Sequence, residues 1–447
     1  MASYAASIAK PVITVNIGYR LNWLGSLVCH DMIEEYASNP LSPHGPFNLT
    51  IQDQRNAFAW IHRFIGGFGG DASNITAFGE SAGSTFLIYH ICGSSTRLFD
   101  RAVLQSGVIF GDVSLEMKDA EYQSMLRQFK IEGATASERL DALREIDSME
   151  LAKFPGSHMT PYVGGVPGVR LEDSLFTRGP PTVISQMNLI PSCEWLGGLI
   201  IGDNFYEGDI TYPAMRHCPQ AAFIDKVQSL FPTAEANDLL SAYELSHSID
   251  KTRASRQMSI FLGDLMFSYN YQTLSEALHK NGRKFYRYHC CFSNPIPGSA
   301  HSYVHGHHII EILFIFLTLL DRYPTHRNEW VKRQALDTAR RWIVFANGEE
   351  PWESSAPDHE DDVGSARIAV ADDLVGWTVR TLDEDERVSK DDSWGERRYA
   401  GWRAFARAFD ALRVDGEDAD AYGQRVTNVR LQMLQLAFGA YDSAPAS

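Results

Sequence analysis

The chain has 447 residues, 44% of them hydrophobic, which is ample for the large core of an α/β enzyme. Its formal charge of −16 argues against nucleic acid or an anionic membrane as a partner. Six cysteines show no Cys-x-x-Cys and no regular spacing, and the adjacent Cys290 and Cys291 predict buried free thiols rather than a disulfide. The first ten residues lack the basic start and long apolar run of a signal peptide. The longest apolar run, 309–320, is interrupted by Glu311 and too short to span a bilayer. Read alone, this is a soluble, intracellular chain without a membrane span.

In chain order, residues 11–19 (Pro-Val-Ile-Thr-Val-Asn-Ile-Gly-Tyr) read as a core strand, apolar enough for a parallel sheet covered on both faces. Residues 49–64 carry Ile51, Phe58, Trp60, Ile61 and Phe64 at helical spacing. A glycine-rich break at 66–71 precedes a short strand at 74–78, and 84–91 reads as an apolar helix. A second strand, 102–106, ends in Ser106-Gly107. Residues 112–192 are polar and helical, with Pro/Gly clusters at 161–168 and 179–181, as an insertion over the sheet would be. Further core strands are expected at 196–201 and 284–289. Helices are expected between them over 212–280, including an apolar stripe at 258–267. Beyond 328 the pattern is mainly helical, with solvated acidic loops expected at 358–362 and 382–392 and a frayed tail at 440–447. No internal repeat is visible.

Phe78-Gly79-Glu80-Ser81-Ala82-Gly83-Ser84 carries the most chemistry. Gly-x-Ser-x-Gly between a strand and a helix is the nucleophile-elbow pattern, with glycines where side chains would clash in the tight turn. A helix starting at Ser81 would turn its N-terminal dipole and free N–H groups toward an oxyanion.

A serine needs a base, and the base needs an orienting acid. In elbow hydrolases the chain order is serine, acid, histidine, each beyond a sheet strand. Asp203 and Glu207 both follow the strand ending near Ile201, and a turn-capping role suits Asp203 better than Glu207. The segment 298–311 offers His301, His305, His307 and His308. His301, His305 and His308 would share one face of a helix and so could hold a metal. Gly298 and Gly306 interrupt that helix, and a metal would compete for the same imidazoles, so neither metal nor cofactor is expected.

Together these stretches resemble the type-B carboxylesterase family, the lipase/cholinesterase branch of the α/β hydrolases. The matches are Val-Asn-Ile-Gly-Tyr-Arg-Leu at 15–21, Asn-Leu-Thr-Ile-Gln-Asp-Gln-Arg at 48–55, Phe-Gly-Gly-Asp at 68–71, the elbow at 78–83, and Leu-Gln-Ser-Gly at 104–107. Later come Ile-Gly-Asp-Asn-Phe-Tyr-Glu-Gly at 201–208, His-Ile-Ile-Glu-Ile-Leu-Phe-Ile-Phe at 308–316 and Phe-Ala-Asn-Gly at 345–348. The resemblance implies one α/β-hydrolase domain over 1–447, a mainly parallel sheet flanked by helices. Helical excursions at 112–192 and 212–280 would lie over the active site, and 328–439 would be a C-terminal helical region. It implies cleavage of small-molecule carboxylic esters through an acyl-enzyme. Ser81 would be the nucleophile, Glu207, the glutamate of a Glu-Gly pair, the acid, and His308 the base, with Glu311, Phe314 and Phe316 at the family's offsets. Ala82 N–H would serve the oxyanion, with Glu80 and Ser106 supporting the triad from behind.

One departure stands out. The family's His-Gly-Gly-Gly oxyanion loop is missing from this sequence. Removing one such donor costs about a hundred- to a thousandfold in turnover. The favoured expectation is a shortened piece of a longer enzyme; the other is a replacement backbone segment. The sheet edge left open would invite self-association, as a homo-oligomer or an aggregate. The rival from another class is a catalytically dead, cholinesterase-like binding or scaffold protein; within the enzymes, a lipase or thioesterase is the runner-up. Asn48 and Asn74 begin Asn-x-Thr sequons compatible with secretion of a longer parent, although both lie inside family-like stretches.

Overall fold

Six strands form a sheet in chain order: β1 (Thr76–Glu80), β2 (Arg101–Gln105), β3 (Gly198–Asn204), β4 (Tyr286–Cys290), β5 (Arg367–Asp372) and β6 (Gly376–Thr381). The computed structural model describes the whole chain except residues 41, 110, 112, 155–161, 165–168, 319, 323–327, 357–361, 392–398 and 439–447. The strands run parallel from β1 to β5, and β6 returns antiparallel to β5. Pairing Glu80 with Gln105, Gln105 with Gly202 and Asn204 with Cys290 brings the C-terminal ends of four strands to one edge. In open α/β sheets that edge is where ligands bind. β2, β3 and β4 are buried almost throughout, as expected for strands covered on both faces.

Helix α1 (Leu49–Phe64) has the predicted bounds and buries Ile51, Phe58 and Ile61. Helix α2 (Ala82–Gly93) is buried at every residue from Ser84 on, so its apolar character runs all round. The 112–192 region holds helices Leu115–Phe129, Ala136–Arg144 and Ser148–Ala152, the second opened by a Thr135/Glu138 capping box. Between β3 and β4 run helices that include α3 (Lys251–Gly263) and α4 (Tyr269–Lys280), followed after β4 by α5 (Asn328–Ala346).

Three expectations need correction. Residues 11–19 belong to no strand, and Ile13 and Val15 are 46% and 40% exposed. An apolar run becomes a strand only through a ladder partner, and here only Ile17 and Tyr19 pack on the core, the Tyr19 ring meeting Phe86 edge-on at 6.0 Å. The C-terminal region contains the β5–β6 hairpin as well as helices. The acidic stretch beginning at Leu382 is a helix, α6 (Leu382–Asp391), not a loop. Its Asp385 is fully buried, bonded to Tyr399 Oη at 2.7 Å and Arg380 Nη2 at 2.6 Å. Most of the 161–168 cluster, residues 358–361 and the 440–447 tail lie outside the described residues. None of the six cysteines is in a disulfide; five are buried and Cys218 partly so. Among the described residues no helix is long and apolar enough to cross a membrane.

Candidate active site

β1 runs directly into the elbow. Ser81 has φ 54° and ψ −120°, a left-handed conformation unusual for a side-chain-bearing residue and a mark of stored strain. Its N–H extends the sheet ladder to Gln105 O at 2.8 Å, while its carbonyl accepts Thr85 N–H at 3.0 Å, the first bond of α2. A Cβ on Gly79 would sit 2.5 Å from the Gly83 carbonyl carbon, so only glycine fits there. A Cβ on Gly83 would meet nothing within 4 Å. The steric demand expected of both glycines therefore falls on Gly79, where the strand crosses the first turn of the helix. Ala82 opens α2, whose N-terminus has no side-chain cap, leaving its first N–H groups to face an anion.

Glu207 leaves β3 in a short 3₁₀ turn and is completely buried. Its Oε1 accepts Asn204 N–H at 2.6 Å and Ser106 Oγ–H at 2.6 Å; its Oε2 meets His308 Nδ1 at 2.5 Å. Gly208 permits this turn, because a Cβ there would lie 1.8 Å from the Ser259 carbonyl oxygen of α3. The His308 backbone N–H donates to Asp209 Oδ1 at 2.9 Å. The His308 ring lies against Phe267, centroids 4.9 Å apart, and Phe267 sits on a π-turn, Asp264–Ser268, joining α3 to α4. Such turns concentrate at functional sites. On its other edge, His308 Nε2 is 3.2 Å from Glu80 Oε1, close but without hydrogen-bond alignment. Among the described residues the Ser81 hydroxyl has no hydrogen-bond partner.

Burial opposes a charge on His308 most strongly of any single influence, but Glu207, Glu80 and Glu311 together outweigh it and raise the imidazole to about 9. Glu80 is raised to about 8 by burial and by the nearby carboxylates Glu311, Glu207 and Asp209, against the pull of His308. Burial likewise lifts Asp209 to about 6, and lifts Glu311, whose Oε1 accepts Tyr288 Oη–H at 2.9 Å. The site is a buried imidazole ringed by carboxylates, suited to holding positive charge.

The elbow, Glu207 and His308 thus come together, with Ser106 beneath Glu207 and Glu80 beside His308. Asp203, the competing acid, pairs instead with buried His289 at 3.0 Å. The helical face that would align His301, His305 and His308 is absent, because 301–308 forms turns and isolated bridges. His305 turns to Asp373, 3.9 Å away, and to the Phe205 ring. Sequence reading missed Asn204, Asp209 and Phe267. Asp209 follows the Glu-Gly pair and was there to be noticed; nothing local signals a π-turn at Phe267.

The profile described as the carboxylesterase family matches residues 3–367. The chain is 34% identical over 141 residues to the inactive carboxylesterase-like protein VdtD of Byssochlamys spectabilis, covering 32% of this chain and 22% of VdtD. It is 32% identical over 299 residues to Lipase 2 of Diutina rugosa, covering 60% of this chain and 51% of the lipase. In these matches the chain spans about half or less of the curated relatives' length. A solved PNB esterase superposes with a TM-score of 0.59 at 21% identity, over 86% of this chain and 75% of that one, which makes the fold that of the α/β hydrolases. With the family profile extending over most of its length, the chain belongs to the carboxylesterase family.

Proposed function

We propose that the protein hydrolyses carboxylic esters with Ser81 as nucleophile, His308 as general base and acid, and Glu207 as the orienting carboxylate. Ser81 Oγ attacks the ester carbonyl while its proton passes to His308 Nε2. The imidazolium then protonates the departing alkoxide, leaving an acyl-enzyme, and water activated by the same Nε2 releases the acid. Glu207 fixes the proton on Nδ1 and stabilises the charge that forms. The Ala82 N–H at the start of α2 faces the tetrahedral oxyanion.

The observation that carries this reading is the 2.5 Å contact from Glu207 to His308 Nδ1, beside a serine held at a strained elbow. Turnover of a short-chain aryl ester tests it. The intact chain should turn over and Ser81→Ala should not; equal rates would end the proposal.

A second reading, a carboxylesterase-like protein without catalysis, draws on one contact: His308 Nε2 faces Glu80 instead of the serine hydroxyl. The relative VdtD carries "inactive" in its name. The same assay separates the two readings.

A further inference from the structure

The chain around His308 carries a second constellation that the ester reaction does not use. Asp209 Oδ1 accepts the His308 backbone N–H, while its Oδ2 lies 3.2 Å from His301 Nδ1. His307 Nδ1 bonds the His308 carbonyl at 2.6 Å, so it must carry the ring proton, and Nε2 keeps its lone pair. That lone pair receives Asn294 Nδ2–H at 3.0 Å. The His301 and His307 rings stack 4.7 Å apart. One ligand atom from each of Asp209, His301 and His307 lies within 4.8 Å of the other two.

We propose that Asp209, His301 and His307 form a binding site for a divalent transition-metal ion, zinc in the first place. Two imidazoles and one carboxylate are a borderline-soft donor set that suits zinc and leaves a fourth position for water. Metal bonds of about 2.0–2.2 Å require the three donors to draw closer together. His301 can supply that movement: its side chain is 46% exposed, whereas Asp209 and His307 are fixed by burial and by their bonds to the His308 backbone. His307 would exchange the Asn294 amide for the metal.

Titration with Co²⁺, followed by its visible absorption and displaced by Zn²⁺, tests the site without reference to activity. The intact chain and His305→Ala should each bind one equivalent, and His301→Ala should bind at least tenfold more weakly. Equal affinity in His301→Ala, or no binding by the intact chain at micromolar metal, would overturn the proposal. A chain that binds cobalt this way yet cleaves no ester would refute the esterase reading and leave the metal site standing.

Discussion

His308 lies between two carboxylates, with Nδ1 2.5 Å from Glu207 and Nε2 3.2 Å from Glu80. Only the first contact orients a base. The second places a carboxylate beside the nitrogen that must receive the serine proton, without a hydrogen bond to it. In the reaction the same carboxylate stabilises the imidazolium, so it holds the ground state and the transition state alike. Interactions of equal strength in both states do not raise kcat.

Glu80→Gln should therefore move the pH profile. The base must be neutral, so kcat/KM should rise with pH through the titration of His308, which its carboxylate neighbours lift to about 9. Glu80 is one of those neighbours, and neutralising it should shift the rising limb toward lower pH. A profile unchanged in position would remove Glu80 from the site's electrostatics.

Ser106 positions Glu207, donating to Oε1 at 2.6 Å in a fully buried setting. Hydrogen bonds to charged groups are worth about 1.5–3 kcal/mol. Ser106→Ala should thus cost about ten- to a hundredfold in kcat/KM, with fluorophosphonate labelling of Ser81 slowed by a similar factor. Unchanged labelling would show that the Asn204 N–H alone holds the carboxylate in place.

The two elbow glycines should behave differently. Gly79→Ala drives a Cβ into the Gly83 backbone at 2.5 Å and should lower stability by about 1–3 kcal/mol, an overpacking effect, while abolishing turnover. Gly83→Ala enters open space inside α2 and should leave the melting temperature equal or higher, since alanine favours helix. The paired melting curves check both; equal losses would contradict the geometry.

Much of this was legible in the chain. The strand–elbow–helix passage around Ser81 and the strands β2, β3 and β4 announced themselves through local apolar runs and glycine punctuation. The choice between Asp203 and Glu207 was not local, because it depends on which acid the fold brings to His308 and which to His289. The β5–β6 hairpin escaped because β5 owes its identity to Tyr288 opposite Ala369, a partner far upstream. Residues 11–19 failed in the reverse sense, with strand-like sequence but no ladder to join. At α6, charge density masked a helix whose buried Asp385 is satisfied by Arg380 and Tyr399, neither readable from an acidic run.

The histidine cluster offers a direct contrast. His308→Ala should lose about 10⁴-fold or more in kcat, whereas His305→Ala, whose ring faces Asp373 and Phe205, should retain most activity. Steady-state kinetics on the two variants decide it. An inactive His305 variant beside an active His308 variant would reassign the base.

Ester cleavage by this site requires Ser81 to be an activated nucleophile. Reaction with a fluorophosphonate, read by intact mass and by peptide mapping, tests it most directly, because only an activated serine attacks phosphorus quickly. One label per chain is expected, located on Ser81, absent from Ser81→Ala and strongly slowed in His308→Ala. Undiminished labelling of Ser81→Ala, or no labelling of a folded intact chain, would contradict it.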